Sequence, residues 1–124
     1  MGMDTITIIG GGFAGVQAAR AAKRSLPTAN VQLIDQSGLA TMIPALPDLY
    51  SGRLNYSAFS RPLEEVAGDD FTFVRGRVHE IDLERREVAG ISGHPSFNPA
   101  YDSLIVATGS VPAPRPATLQ AARA

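Results

Sequence analysis

The stretch Thr5-Ile-Thr-Ile-Ile-Gly-Gly-Gly-Phe-Ala-Gly15 decides how this chain begins to fold. Its first five residues are all β-branched and are followed directly by glycines, which predicts a buried strand over Thr5–Ile9. The alanine-rich segment that comes next predicts a helix over Phe13–Ser25, which Pro27 ends. The segment after Pro27 predicts a second short strand over Val31–Asp35. Two strands joined through a helix form a βαβ unit, whose strands are parallel.

The glycines between the first strand and the helix have the spacing G-x-G-x-x-G, and Asp35 follows 20 residues after the last of them. Gly10 permits the sharp turn, Gly12 has no Cβ and lets a pyrophosphate approach the backbone, and Gly15 lets the helix pack closely on the strand. The unpaired N–H groups at the helix start bind the anion. Asp35 is placed to accept hydrogen bonds from a ribose diol and to repel a 2′-phosphate. A dinucleotide is the predicted ligand, and a purely structural glycine turn is the alternative.

Beyond this unit the pattern changes from alternating strands and helices to a mixed arrangement. The sequence predicts an irregular loop over Gln36–Tyr56, with one helical turn near Leu46–Tyr50, and then a short helix over Pro62–Ala67 and a strand over Phe71–Val74. An antiparallel meander is predicted next, formed by Val78–Leu83 and Glu87–Ile91 around the charged turn Glu84–Arg86. The last predicted element is a buried strand over Leu104–Ala107. In the meander, His79, Ile81 and Leu83 alternate onto one face. We therefore expect an α/β fold, with one domain over residues 1–110 and a proline-rich linker and tail over 111–124.

Composition excludes several classes of function. The formal net charge of −1 provides no strong field for nucleic acid or an anionic membrane, so neither is an expected partner. The chain has no cysteine, which excludes disulfides and thiolate metal sites within it. Prolines and Asp48 interrupt the longest apolar run, Ile43–Leu49, and the first residues lack the pattern of a secretory signal. The arginines of the meander have acidic residues interleaved with them and are expected to decorate a solvated surface. The expected location is the cytoplasm.

A family resemblance follows from three features together: Ile6-Thr-Ile-Ile-Gly-Gly-Gly-Phe-Ala-Gly15, Asp35, and Tyr101-Asp-Ser-Leu-Ile-Val-Ala-Thr-Gly-Ser110. They resemble the FAD-binding start of the pyridine nucleotide–disulfide oxidoreductase superfamily, whose second fingerprint is an Ala-Thr-Gly at a strand end. The resemblance covers about Asp4 to Pro114. It implies a Rossmann-like FAD-binding sheet that is incomplete relative to the family.

The resemblance also implies roles for individual residues. The glycine-rich turn is expected to bind the FAD pyrophosphate, Asp35 the adenosine ribose, and the backbone of Val78 the adenine, with Thr108 and Gly109 beside the cofactor. The candidate cofactor-binding residues are Gly10, Gly12, Phe13, Ala14, Gly15, Asp35, Gln36, Pro44, Val78, Ala107, Thr108 and Gly109. No catalytic residue and no metal ligand is assigned, and His79 and His94 are expected to be structural and exposed, respectively.

The loop after Asp35 indicates which subfamilies of the superfamily this chain resembles. It lacks the C-x4-C pair of the disulfide reductases, which excludes a dithiol relay at that position. Ile43-Pro-Ala-Leu-Pro-Asp-Leu-Tyr-Ser-Gly52 resembles a segment of type II NADH:quinone and sulfide:quinone oxidoreductases that runs near the isoalloxazine ring, which is why Pro44 is a candidate. A proline-rich surface loop is the alternative. NADH:quinone-like oxidoreduction is the expected parent function, and a sulfide:quinone oxidoreductase or a non-catalytic dinucleotide-binding module are the alternatives.

Members of the superfamily are several times longer than 124 residues. We therefore expect a fragment or a short reading frame, with no NADH oxidation by this chain alone, because it has no second G-x-G-x-x-G for NAD(P)H. A parent of the quinone-reducing kind is expected at the cytoplasmic face of the membrane, held peripherally. Missing strands would leave an open sheet edge, so a homo-oligomer is also expected.

Overall fold

The computed structural model describes residues 3–91, 94 and 97–110. The predicted strand Thr5–Ile9 and helix Phe13–Ser25 are confirmed with these bounds. In chain order the elements are β1 (Thr5–Ile9), α1 (Phe13–Ser25), β2 (Asn30–Asp35), β3 (Leu39–Thr41), a 3₁₀ turn (Ile43–Ala45), α2 (Leu46–Tyr50), α3 (Tyr56–Phe59), β4 (Ser60–Pro62), α4 (Leu63–Ala67), β5 (Thr72–Arg75), β6 (Glu80–Asp82), β7 (Glu87–Ala89) and β8 (Ser103–Val106).

The main sheet has four parallel strands in the order β5-β2-β1-β8. Thr5 of β1 pairs with Asn30 of β2, and Asp35 at the end of β2 pairs with Arg75 at the end of β5. Two small antiparallel pairs, β3–β4 and β6–β7, lie outside this sheet. The predicted α/β fold is therefore confirmed. The carboxyl ends of all four strands meet at one edge, where ligands of open parallel sheets bind.

Each face of the sheet is covered by its own apolar core, because successive side chains of a strand point to opposite faces. Ile8 and Leu33 are fully buried on the face covered by α1 and α4. Ile34 and Val74 are buried on the opposite face, which β6, β7 and the segment before β8 cover. Both faces of β1 and β2 are therefore buried, and their buried polar residues Thr5, Thr7 and Gln32 have to be paired with hydrogen-bond partners.

A buried amide attaches the segment before β8 to the sheet. Gln32 is fully buried in β2, and its Nε2 donates to the Thr7 hydroxyl at 2.9 Å and to the Asn98 carbonyl at 2.6 Å. Its Oε1 accepts the Asn98 N–H at 3.2 Å. The Asn98 amide in turn donates to the Thr5 hydroxyl at 3.3 Å. A buried amide whose groups are all paired fixes the register of the segment that it holds.

The structure differs from the sequence-based expectations mainly in the connections. The helical turn at Leu46–Tyr50 is confirmed. Strands β3 and β4 were not predicted, because strands of three residues are too short to show an alternating pattern. The four-residue helix α3 was not predicted either. The meander strands are shorter than predicted and form one hairpin. Leu83 does not share the buried face of Ile81, since it lies in the turn after β6 and is 75% exposed. The predicted linker and tail over 111–124 lie outside the described residues.

Strand β8 is less buried than the sequence predicts, because it is an outer strand of the sheet within the described part of the chain. Ile105 and Val106 are 37% and 58% exposed. An outer strand with apolar side chains favours pairing with another strand. The expected homo-oligomer stays a prediction, and size-exclusion chromatography over a range of protein concentrations would test it.

We find no helix among the described residues that is both long enough and apolar enough to cross a membrane.

Candidate functional site

The turn between β1 and α1 contains glycines that the fold requires for steric reasons. Gly10 has a φ of +111° and donates its N–H to the Ile34 carbonyl at 2.8 Å. A Cβ on Gly10 would overlap the carbonyl oxygen of Ala107, and a Cβ on Gly15 would overlap the carbonyl oxygen of Gly10. Gly10 therefore permits the turn and the approach of the chain after β8, and Gly15 permits the approach of α1 to the end of β1.

Gly11 was not predicted to matter, yet it is also constrained. A Cβ at this position would overlap the side chain of Leu63 and would lie 3.0 Å from Cβ of Asp35. The sequence contains the signal, since Gly11 is the middle one of three consecutive glycines, but the pattern G-x-G-x-x-G leaves that position open. The turn is therefore packed against both α4 and the end of β2.

Gly12 differs from these glycines because a Cβ there would meet no atom of the described residues within 4 Å, the adjacent chain aside. It is the N-cap of α1, with a φ of −74°, and no side chain caps the helix. The N–H groups of Gly12, Phe13 and Ala14 have no acceptor among the described residues. The helix start therefore combines open space with three free donors and the positive end of the helix dipole, an arrangement suited to an anion. No cluster of metal-binding side chains occurs in the described ranges.

The carboxylate of Asp35 holds the two loops at this edge together. Oδ1 accepts the Gly11 N–H at 2.9 Å. Oδ2 accepts the Ser37 N–H at 2.9 Å, the Ser37 hydroxyl at 2.6 Å and the Gly38 N–H at 3.2 Å. Oδ1 accepts one hydrogen bond and Oδ2 accepts three, so Oδ1 is the oxygen with remaining capacity for a ribose hydroxyl. Asp35 thus has a structural role that sequence reasoning did not identify.

We expect Asp35→Asn to lower the free energy of unfolding by about 1–3 kcal/mol, because an amide turns an N–H donor toward either Gly11 or Ser37 and leaves a donor unpaired. Urea unfolding measures this. Asp69→Asn is the matched control, since the Asp69 side chain is exposed and makes no hydrogen bond or ion pair to the described residues. Equal stability of the two variants would contradict the role of the Asp35 carboxylate in holding the two loops together.

A cavity of about 220 Å³ opens next to Asp35 at the carboxyl ends of the strands. It brings together five of the predicted site residues, namely Gly10, Asp35, Gln36, Val78 and Thr108. The sequence did not identify the other four lining residues, which are Ile9, Ile34, Gly76 and Arg77. Gly76 and Arg77 lie at the cavity because Asp35 pairs with Arg75, so that the chain leaves β5 beside Asp35.

The remaining predicted residues are distributed around the turn and the chain after β8. Gly12 and Phe13 line a second cavity of about 160 Å³ between α1 and the β3–β4 pair. The other five line neither cavity: Ala14, Gly15, Pro44, Ala107 and Gly109. Pro44 lies exposed in the 3₁₀ turn, and Gly109 has a φ of +70°, as a turn after the last strand requires.

The family model described as pyridine nucleotide-disulphide oxidoreductase matches residues 4–122, nearly the whole chain. The chain belongs to this family. The glycine-rich turn, the acidic residue at the end of β2 and the Ala-Thr-Gly after β8 are thus placed in a family of flavoprotein oxidoreductases. No curated protein gave a match to the chain.

Solved structures with the same fold include two that are about a quarter identical in sequence. The sulfide:quinone oxidoreductase of Aquifex aeolicus is 26% identical over 86% of this chain, with a TM-score of 0.68. Putidaredoxin reductase, in its covalent complex with putidaredoxin, is 28% identical over 91% of this chain, with a TM-score of 0.72. NDH2 from Plasmodium falciparum, at 22% identity over 87% of this chain and a TM-score of 0.67, shares the fold.

The chain spans about a quarter of the length of these proteins, between 22% and 27% of each.

Proposed function

We propose that this chain is the N-terminal FAD-binding part of an NAD(P)H-dependent flavoprotein oxidoreductase, of the NADH:quinone reductase kind. The observation that carries the proposal is the helix start at Gly12, where three N–H groups have no acceptor among the described residues and a Cβ on Gly12 would have no described atom outside the adjacent chain within 4 Å. A diphosphate placed there would accept these N–H groups and benefit from the helix dipole.

The second support is the cavity beside Asp35. It adjoins the glycine-rich turn through Gly10, so a ligand whose diphosphate lies at Gly12 could extend its adenosine end into the cavity. Its volume of about 220 Å³ is below the ~300–1,000 Å³ of a complete small-molecule site, which suits one end of a larger ligand. Asp35 would hold the ribose through Oδ1 and would disfavour a 2′-phosphate by charge repulsion.

The residues present therefore fit FAD. When bound, FAD supplies the hydride and electron transfer chemistry, and the protein supplies binding and orientation. The turn binds the diphosphate, Asp35 orients the ribose, and the apolar side chains of Ile9 and Ile34 exclude water from the inner wall of the cavity. NAD(P)H is assigned to the longer parent only, and not to this chain.

Titration of the purified 124-residue chain with FAD tests the proposal. We expect quenching of flavin fluorescence that saturates with one FAD per chain and that excess ADP reverses. Binding of ADP without any preference for FAD would instead support a non-catalytic nucleotide-binding module. Absence of binding to both ligands, with the chain shown to be folded by circular dichroism, would contradict both.

The second candidate function for the parent is sulfide:quinone oxidoreduction, which the 26% identity to the Aquifex aeolicus enzyme favours. This chain has no cysteine, so the redox cysteines of such an enzyme would belong to the rest of the parent. NADH oxidation by the full-length parent would favour the first candidate, and sulfide oxidation would favour the second. The segment around Pro44, proposed to run near the flavin ring, is common to both.

A further inference from the structure

Arg77 is the one basic residue among the described residues that line the cavity beside Asp35. Its side chain is exposed, and it forms no ion pair or hydrogen bond with the described part of the chain. Neighbouring arginines have local contacts. The guanidinium of Arg75 packs over Gly38, with its atoms 3.7–3.8 Å from the position of a Cβ there, and Arg85 pairs with Asp82 at 3.9 Å. Arg77 is therefore available for a ligand in the cavity.

The backbone that carries Arg77 is held on both sides. Gly76 donates its N–H to the Asp35 carbonyl at 3.0 Å, and His79 donates to the Ala89 carbonyl at 2.9 Å. The Arg77 carbonyl oxygen lies 2.6 Å from the position that a Cβ on Gly90 would take, and Gly90 has a φ of +110°. The side chain thus projects from a fixed point between the end of β2 and the β6–β7 hairpin.

Part of the cavity wall suits a flat, largely apolar ring. Ile9 and Ile34 contribute side chains that are 7% and 1% exposed, and Gly10 and Gly76 contribute peptide surface without side chains. A planar guanidinium binds well over the face of an aromatic ring. The carboxylate of Asp35 already accepts four hydrogen bonds, and its charge disfavours a second phosphate on the ribose, so a 2′-phosphate is a poor partner for this arginine.

We propose that Arg77 stacks on the adenine base of the bound dinucleotide and strengthens its binding in this cavity. The proposal rests on the proposed function, since it takes the diphosphate to lie at Gly12. It assigns to an arginine of the hairpin region a binding role that charge pattern alone did not indicate.

Calorimetric titration of the 124-residue chain with ADP tests the proposal, using three variants. We expect Arg77→Ala to weaken ADP binding about tenfold, the order of loss when a guanidinium leaves an aromatic face. Arg77→Tyr keeps a stacking surface without the charge, so its ADP affinity is expected to stay within threefold of wild type. Arg75→Ala is the matched control, because Arg75 does not line the cavity, and its affinity is expected to be unchanged.

Two results would overturn the proposal. The first is an ADP affinity of Arg77→Ala within threefold of wild type. The second is an affinity of Arg77→Tyr as weak as that of Arg77→Ala, which would mean that the arginine contacts phosphate by charge. Urea unfolding midpoints of the variants should match wild type, since the Arg77 side chain is exposed. If the wild-type chain itself did not bind ADP, the proposed function would fail, and that result is distinct from the two above.

Discussion

Gly12→Asp should lower the affinity for FAD and for ADP by about a hundredfold or more while leaving the chain as stable as wild type or slightly more so. A carboxylate about 4 Å from a phosphate costs about 4 kcal/mol at an effective dielectric of about 20. The variant does not disturb the fold, because a Cβ on Gly12 meets no protein atom within 4 Å and the φ of −74° is ordinary for any residue. Aspartate is also a favourable N-cap.

Titration with ADP and urea unfolding, carried out on the same preparation, measure the two halves of this prediction. Gly12→Asn is the matched control, because asparagine has nearly the same size and no charge, so its loss of affinity should be clearly smaller. A Gly12→Asp variant that binds ADP within threefold of wild type would show that no diphosphate lies at the helix start. The proposed function would then lose its main support.

Gly15→Ala is expected to destabilise the chain by about 3 kcal/mol or more. The new Cβ would overlap the carbonyl oxygen of Gly10, and a backbone atom cannot move aside as a side chain does, so α1 must shift away from the end of β1. Helix propensity alone predicts the opposite sign, because alanine is favoured over glycine by about 1 kcal/mol in a helix. The sign of the change therefore separates the packing explanation from the propensity explanation.

Urea unfolding of Gly15→Ala and of Ala14→Gly makes the comparison. Ala14 is exposed in the same helical turn. The change in the free energy of unfolding on Ala14→Gly therefore measures the contribution of a Cβ to helix stability there, without a packing conflict. We expect the two variants to be destabilised by clearly different amounts, with Ala14→Gly near 1 kcal/mol. A Gly15→Ala variant as stable as wild type would mean that α1 adjusts freely, and the steric role of Gly15 would be wrong.

Strand β1 and helix α1 could be predicted to the residue, and β2 (predicted as Val31–Asp35, observed as Asn30–Asp35) to within one residue, because the signals of the βαβ unit are local. A run of β-branched residues, three glycines and an alanine-rich segment determine β1 and α1 without help from the rest of the chain. The candidate ligand class followed from the same residues, since the spacing between Gly15 and Asp35 places both at the carboxyl edge of parallel strands. The family match over residues 4–122 agrees with that local pattern.

The connections could not be predicted in the same way. Strands β3 and β4 pair over three residues each, and neither has an alternating pattern of its own. The exposure of Val106 was also missed, because an apolar strand has the same sequence whether its neighbours cover it or not. In both cases the deciding interactions join residues that are distant in the sequence.

Local sequence was sufficient for the glycine-rich turn, the first helix and the acidic residue at the end of β2, because backbone sterics and short-range periodicity act within a few residues. Tertiary structure alone decided that Asp35 accepts the Gly11 N–H, that Gln32 pairs with Asn98, and that Arg77 lines the cavity. The physical reason is that these contacts depend on strand register, which the whole sheet sets through burial and hydrogen bonding.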